Sequence, residues 1–171
     1  MLEAWRYVLQ LRHEPACLVL SRQALPTLDR STYASAAGVA QGAYVLADAT
    51  GGAPEVILLA SGSEVALCVD AYERLTAAGV RARVVSMPSW ELFEHQPAAY
   101  RDAVLPPAVG ARVGVEQAST FGWSRYVGAG GEVIGMHTFG ASAPLKELQT
   151  KFGFTAEHVV EAARRSLARR R

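Results

Sequence analysis

The chain has 171 residues, half of them hydrophobic, and a formal net charge of +1 at pH 7. Its length suits one domain with an appended segment, and its charge gives no electrostatic reason to expect binding to nucleic acid or to a membrane surface. No apolar run approaches the roughly 20 residues that span a bilayer, and Cys17 and Cys68 lie in apolar stretches without Cys-x-x-Cys spacing, which predicts reduced core residues in a cytoplasmic protein.

The first forty residues contain two apolar stretches. Residues 2–9 have helical spacing but no capping residue before them. Residues 16–20 form a continuous apolar run suited to a central strand, although the next clear strand is distant. We therefore expect this part of the chain to be the end of a preceding domain. We also expect the strand at 16–20 to be misplaced, swapped or mobile, and to favour association between chains.

Residues 35–38 indicate a loop or linker, and residues 42–47 predict a strand. A short turn at residues 50–52 then leads to the next strand. A connection this short favours an antiparallel neighbour, so one strand should run opposite to the rest of the sheet.

The central part of the chain, from Glu55 to Pro88, predicts a strand, a helix and a second strand. Val56–Ala60 is a continuous apolar run typical of a strand buried on both faces. Ser61 and Glu64 have the spacing of a capping box, which places the start of a helix between them. Gly79 can end that helix in a left-handed conformation. Strand, helix and strand in this order predict a right-handed βαβ unit with a parallel sheet.

The remaining elements follow from short apolar runs and from turn residues. Strands are predicted at 112–116 and 132–136. Helices are predicted at 89–93, 97–104, 121–127 and 144–151, and a terminal helix is capped by Thr155. Leu145, Leu148 and Phe152 are expected to face inward. The basic cluster of Arg164, Arg165 and residues 169–171 is interpreted as a solvated helix end.

Candidate ligand-binding residues lie where predicted parallel strands end, because α/β proteins place ligands there. Arg22 follows the apolar run 16–20, and its guanidinium suits a phosphate or a carboxylate, although an exposed ion pair is an alternative. Ser61 and Ser63 precede a helix N-terminus that could bind an anion, although a plain βα turn is favoured. Glu116 and His137 end the next strands and complete a possible anion-binding or regulatory rim.

Other features of the sequence give weaker indications of chemistry. The four histidines do not share metal-ligand spacing, so no metal site is predicted. The glycines at 128–131 precede a strand rather than a helix, which excludes a phosphate-binding loop. Trp123 and Tyr126 could stack against a ring, but packing is the favoured interpretation.

Six ordered stretches resemble the C-terminal region of transketolase. They are LSRQALP (20–26), LLASGSEV (58–65), VRARVVSMPS (80–89), GVEQA (114–118), GWSRYVG (122–128) and GMHTFGASAP (135–144). The resemblance implies a three-layer α/β/α fold with a mixed, mostly parallel five-stranded sheet in which one strand is antiparallel. It also implies that residues 1–30 are the tail of a pyrimidine-binding domain, that residues 31–171 are the C-terminal domain, and that Arg22 grips a substrate phosphate.

Transketolases are homodimers that use thiamine diphosphate and Mg²⁺ to transfer two-carbon ketol units between sugar phosphates. The Gly-Asp-Gly signature of the family, with its following Asn, is absent from this sequence. The cofactor-activating glutamate and the histidines around the cofactor also lie upstream in the family. We therefore expect no cofactor binding, no metal binding and no catalysis by this chain alone. Its partners would be the rest of a transketolase polypeptide and a second copy, and sugar phosphates would bind only to the intact enzyme.

Two alternatives remain open at this stage. The chain could be a subunit of a split thiamine enzyme that another polypeptide completes. It could also be a separate regulatory module that binds small anions at the rim near Ser61, Glu116 and His137. The sequence does not distinguish a truncated chain or a proteolytic fragment from a natural short protein.

Overall fold

The computed structural model describes residues 1–169 and contains one five-stranded sheet. The strands are β1 (Tyr44–Ala47), β2 (Val56–Ala60), β3 (Ala82–Ser86), β4 (Arg112–Ser119) and β5 (Glu132–Met136). Their order across the sheet is β1-β3-β2-β4-β5. Strands β3, β2, β4 and β5 are parallel, whereas β1 is antiparallel to β3. The predicted mixed, mostly parallel sheet is confirmed.

Seven α-helices accompany the sheet within the described residues. They are α1 (Leu2–Val8), α2 (Glu64–Ala77), α3 (Trp90–Glu94), α4 (Ala98–Val104), α5 (Ser124–Val127), α6 (Leu145–Phe152) and α7 (Ala156–Ala168). The stretch 36–41, part of which was interpreted as a linker, forms a 3₁₀ helix. The βαβ unit predicted between Glu55 and Pro88 is confirmed as β2, α2 and β3.

Two hydrophobic cores lie on opposite faces of the sheet because successive side chains of a strand point to opposite sides. On one face, Val56, Leu58 and Ala60 pack with the buried sides of α2 and α7. On the other face, Ile57 and Leu59 pack with residues from α3, α4 and α5. Strand β2 is therefore buried completely, as its continuous apolar run predicts, and the fold has three layers.

The antiparallel strand is confirmed, but its neighbour is not the one that the short turn favours. Strand β1 pairs with β3, and β2 lies between β3 and β4. The crossover through α2 places β3 beside β2 in parallel, and β1 then pairs with the other edge of β3. The turn at 50–52 therefore connects two strands that are not adjacent.

The apolar run at 16–20 forms no strand in this sheet, which agrees with the expectation that a strand here would lack its neighbours, whereas swapping, mobility and association between chains stay predictions. The segment has no regular secondary structure, and Val19 is 90% exposed. A strand needs backbone partners, and the described sheet offers none at this position. Cys17 is consequently exposed, contrary to the predicted core position, whereas Cys68 is fully buried as expected. The helix predicted at 2–9 forms as α1, and no side chain caps it.

Two helix ends match the predicted signals, at Gly79 and Thr155, and a further cap is found at Ser89. The Ser89 and Thr155 hydroxyls accept hydrogen bonds from the backbone N–H groups of Leu92 and His158 at the starts of α3 and α7. Gly79 follows α2 with φ +78°, the left-handed conformation that glycine adopts without strain. In α6 the inward prediction is only partly correct, because Leu145 is 43% exposed.

Across residues 1–169, every helix is too short or too polar to cross a lipid bilayer. Arg164, Arg165 and Arg169 lie on the exposed last turns of α7 or just after it, as predicted for a solvated helix end. The other two members of that basic cluster, Arg170 and Arg171, lie outside the described residues.

Candidate functional site

Three of the predicted site residues lie at the edge of the sheet where the parallel strands end. Ser61 follows β2, Glu116 lies in the second half of β4, and His137 follows β5. The Ser61 hydroxyl donates a hydrogen bond to the Glu116 carboxylate at 3.2 Å. His137 is exposed and makes no hydrogen bond or ion pair with another described residue. The structure thus brings Ser61 and Glu116 together but leaves His137 apart.

The most enclosed polar side chain here is Glu64, for which the sequence predicts only a capping role. It begins α2 and is 4% exposed. The Ser63 hydroxyl and the Gln117 backbone N–H donate hydrogen bonds to its carboxylate. Burial raises the pKa of the Glu64 carboxyl, the two hydrogen bonds oppose this rise, and the Glu116 charge adds to it. From here on, the rim means Ser61–Glu64 together with Glu116 and Gln117. It does not include His137, which the sequence predicted to belong with these residues.

A sequence signal for Glu64 did exist. Its position is four residues before Cys68, so both side chains lie on the helix face that packs on the sheet. Cys68 is fully buried, and burial followed by the Glu64 charge raises the pKa of its thiol. A carboxylate on an otherwise apolar helix face indicates a buried polar contact rather than a solvated cap.

The predicted capping box at Ser61 and Glu64 is wrong in its partners. The N-cap residue of α2 is Ser63, and its side chain makes no capping hydrogen bond. The Ser61 hydroxyl is bonded instead to Glu116 on β4. A hydrogen bond to a charged carboxylate is stronger than one to a neutral backbone group, which explains the choice.

The charge of the rim is unfavourable for an anion. A free helix N-terminus attracts negative charge, but here Glu64 and Glu116 already occupy this position as two neighbouring carboxylates. Their repulsion opposes a bound phosphate or carboxylate. The anion-binding or regulatory role of Ser61, Ser63, Glu116 and His137 stays a prediction.

Arg22 lies in an exposed segment without regular structure, not at the end of a strand as the sequence predicts. The strand that was to position it does not form, for the reason given above. The segment nevertheless passes close to the rim: a methyl group placed on Gly62 would lie 3.8 Å from the Ser21 hydroxyl. Arg22 is thus adjacent in sequence to a residue that borders the rim. Its phosphate-binding role stays a prediction.

The described residues do not fit a large cofactor or its metal ion. Within residues 1–169, no three His, Cys, Asp or Glu side chains are grouped to hold a metal. A hollow between the rim and α6 measures about 140 Å³, and another beside Pro54 and Leu167 measures about 270 Å³. Pockets for drug-sized ligands measure roughly 300–1,000 Å³. Neither hollow offers the space or the ligands that thiamine diphosphate with Mg²⁺ would require.

The aromatic residues Trp123 and Tyr126 are packing residues, as predicted. Trp123 is 1% exposed and meets Trp90 edge to face, with ring centroids 5.3 Å apart. Burial, with a smaller contribution from Glu94, raises the pKa of Tyr126 to about 12. Both rings fill the core beneath α3 and cannot stack on a ligand without leaving it.

Residues 42–155 match the family model described as the transketolase-like TK C-terminal domain. This range contains all five strands of the sheet and the whole rim. The chain belongs to the transketolase family. The recognition of a transketolase C-terminal domain from six sequence stretches is therefore confirmed.

The similarity to complete transketolases extends over nearly all of the chain. It is 48% identical over 166 residues to transketolase of Geobacillus stearothermophilus, covering 97% of the chain and 25% of that protein. It is 51% identical over 164 residues to transketolase 1 of Escherichia coli, covering 96% of the chain and 24% of that protein. The chain thus spans about a quarter of the length of these transketolases.

Solved structures agree with this assignment. A transketolase of Pichia stipitis in complex with sedoheptulose-7-phosphate matches with a TM-score of 0.76 at 38% identity, covering 86% of the chain and 20% of that protein. A split-gene transketolase, described as an inactive beta4 tetramer, matches with a TM-score of 0.64 at 22% identity, covering 86% of the chain and 48% of that protein. The second likeness shows a shared fold and no more.

Proposed function

We propose that this chain serves as the C-terminal part of a thiamine diphosphate-dependent transketolase, which transfers two-carbon ketol units between sugar phosphates in the pentose phosphate pathway. Its own role is structural: it supports the cofactor-binding domains and adds contacts between subunits, and it does not catalyse the reaction alone. The observation that carries this proposal is its match to about a quarter of each related transketolase. The cytoplasmic location predicted from the sequence is part of the proposal.

The proposed domain division places residues 1–30 in the tail of a pyrimidine-binding domain and residues 31–171 in the C-terminal domain. The packing supports it, because both cores are built around the sheet and its helices, whereas residues 12–27 bury no side chain fully. Exposed apolar side chains are concentrated in the first part: Leu2, Trp5, Leu9, Val19, Leu20 and Leu25. Such a concentration is typical of a surface that another domain or subunit covers.

The absence of cofactor binding and of catalysis is tested on the purified chain. Isothermal titration with thiamine diphosphate and Mg²⁺ is expected to show no binding up to millimolar cofactor, because the described residues lack a metal-ligand cluster. A coupled ketol-transfer assay on the same sample is expected to show no turnover. Micromolar binding, or transfer by the chain without another polypeptide, would contradict the proposal.

The role of Arg22 is tested in an enzyme completed by co-expression with a polypeptide that carries the cofactor-binding domains. Arg22→Ala should raise the KM for phosphorylated sugars roughly 10–100-fold, the loss expected for a charge-assisted hydrogen bond. The KM for an unphosphorylated acceptor should stay the same. Arg30→Ala is the matched control, because Arg30 is also exposed and, among residues 1–169, bonds only to the Ala34 carbonyl. Equal effects of the two substitutions would remove Arg22 from the proposed site.

A second candidate function is that of a subunit in a split thiamine enzyme. The exposed apolar residues of the first 25 positions favour it, since they provide a surface that a separate polypeptide could cover. The protein described as a split-gene transketolase, which shares this fold, is an example of such an arrangement. Light scattering after gel filtration distinguishes the two candidates. A stable complex, with transferase activity, between this chain and a separately encoded cofactor-binding subunit would support the split enzyme.

A further inference from the structure

Residues 28–34, which we call the clasp, are fastened to two elements of the domain. The Tyr33 hydroxyl donates a hydrogen bond of 2.6 Å to the Glu73 carboxylate on α2. The Ala34 backbone N–H donates a hydrogen bond of 2.9 Å to the Leu46 carbonyl on β1. Both bonds reach residues that are distant in the sequence, so they fix where the clasp lies on the domain.

The clasp also has bonds of its own and an apolar base. Asp29 shapes the turn: its carboxylate accepts a hydrogen bond from the Ser31 N–H and its carbonyl accepts one from the Tyr33 N–H, both at 2.9 Å. Such bonds from an aspartate to the following backbone stabilise a tight turn. Leu28 and Tyr33 are partly buried and pack against the core that contains the buried sides of α2 and α7. The clasp is therefore part of the packed domain.

The chain before the clasp is attached far more weakly. Across residues 1–27, no side chain is buried. Helix α1 lies against the 3₁₀ helix at 36–41 but contributes no buried residue. Further along, a methyl group placed on Gly62 would lie 3.8 Å from the Ser21 hydroxyl. A segment with so few buried contacts separates from the fold at a small cost in free energy.

We propose that the folded domain begins at the clasp and that residues 1–27 form an arm hinged at Leu28. The arm lies along the edge where the parallel strands end, and it swings away from this edge without opening either core. The clasp stays in place during the movement, because its bonds are made to α2 and β1. The domain boundary implied by the family resemblance, between residues 30 and 31, falls inside the clasp. The hinge goes beyond the proposed function and does not depend on it.

The hinge has a consequence for Arg22, which lies on the arm. Among the described residues, its guanidinium has no hydrogen-bond or ion-pair partner. The domain therefore does not hold this side chain in place, and a phosphate site at Arg22 is completed only when another polypeptide orders the arm. This consequence rests on the proposed function. If the Arg22 substitution left the KM for phosphorylated sugars unchanged, the consequence would fall and the hinge would stand.

Limited digestion with trypsin tests the hinge, because exposed arginines lie in both parts. Arg12 and Arg22 belong to the arm and Arg30 to the clasp, and none of the three is followed by a proline. Cleavage follows the population of the opened segment when closing is fast, so Arg12 and Arg22 should be cut roughly tenfold faster than Arg30, or more. Mass spectrometry of timed samples gives the three rates. Cleavage after Arg30 at the rate of the arm sites would overturn the proposal.

Tyr33→Phe removes the hydrogen bond to α2 and keeps the ring in its place. Cleavage after Arg30 should become about 3–10-fold faster, which corresponds to one net hydrogen bond, while the rates at the arm sites stay the same. Tyr72→Phe is the matched control, because the partly buried Tyr72 bonds instead to the Asp48 carbonyl, at 2.8 Å and outside the clasp. Equal effects of the two substitutions on the Arg30 site would contradict the clasp.

Amide hydrogen exchange of the intact ¹⁵N-labelled chain, measured by NMR, gives a second readout. Within residues 1–169, the N–H groups of residues 12–27 find no acceptor, whereas those of Tyr33 and Ala34 are bonded to carbonyls. Residues 12–27 should therefore exchange at nearly intrinsic rates, and Tyr33 and Ala34 should be protected at least roughly tenfold. Protection within residues 12–27, or its absence at Ala34, would show that the domain does not begin at the clasp.

Discussion

Arg83 on β3 is expected to be one of the most sensitive polar positions of the domain. It is 8% exposed, and its guanidinium forms two hydrogen bonds with Asp48, of 2.8 and 2.9 Å. It also donates hydrogen bonds to the carbonyls of Ala103 and Val104, the last two residues of α4, at 2.7 and 3.1 Å. One side chain thus joins three elements of the fold.

The magnitude of Arg83→Met can be estimated from these contacts. Each carbonyl left without a donor costs about 1–3 kcal/mol, with the lower end suited to groups that water can partly reach. The Asp48 side chain is 55% exposed, so water solvates its carboxylate once Arg83 is removed. Loss of this ion pair therefore costs up to about 1 kcal/mol. The methionine keeps most of the buried apolar stem. We expect a loss of about 2–4 kcal/mol in the free energy of unfolding.

Urea denaturation followed by circular dichroism measures this loss, and Arg81→Met is the matched control. Arg81 lies two residues earlier, and both its ion pair with Glu55 at 3.4 Å and its hydrogen bond to the Ala53 carbonyl at 2.9 Å are exposed to water. Its loss should cost less than about 1 kcal/mol. If the free energies of unfolding of Arg83→Met and Arg81→Met differ by less than about 0.5 kcal/mol, the buried hydrogen bonds of Arg83 do not stabilise the domain as expected.

Three further outcomes are expected. Thr155→Ala should lower the free energy of unfolding by about 1 kcal/mol, because it removes the side-chain cap of α7; no change in the urea midpoint would contradict this. A thiol reagent should modify Cys17 in the native chain and Cys68 only after denaturation, since Cys68 is fully buried and burial raises its pKa; two fast thiols in native buffer would show that the core opens readily. The hydrogen bond from Arg165 lowers the pKa of Glu132 below its usual value, although burial opposes this effect. The stabilisation that the charged Glu132 gives to the fold is therefore present above the ordinary glutamate pKa. It is lost as the pH falls through the lowered pKa. Glu132→Gln should therefore flatten the acid side of the thermal stability profile, by under about 1 kcal/mol because the pair is partly exposed, and an unchanged acid limb would refute this.

Much of the fold follows from local sequence signals. The buried run Val56–Ala60, Gly79 after α2 and the cap at Thr155 each act within a few residues, so their consequences can be predicted without the rest of the chain. The run at 16–20 carries the same apolar signal but forms no strand. A strand is completed by hydrogen bonds from distant residues, and no local pattern shows whether those residues are present.

The candidate site, like the fold, was only partly predictable from the sequence. Ser61 and Glu116 could be placed at one edge from the order of the strands, because the carboxyl ends of parallel strands meet there. The hydrogen bond between them and the burial of Glu64 against β4 could not be predicted. They depend on side chains about fifty residues apart in sequence, which only the completed sheet brings into contact.

The sequence by itself determined the family, the βαβ core and the single reversed strand, because these are written in periodic patterns and ordered motifs. Only the tertiary structure decided that β1 pairs with β3 and that Glu64 is buried where the Glu116 charge acts on it. It also decided that the arginine-bearing segment is exposed. The physical reason is that pairing, burial and charge proximity are properties of residues distant in the chain, and their energies exist only after the backbone has brought them together.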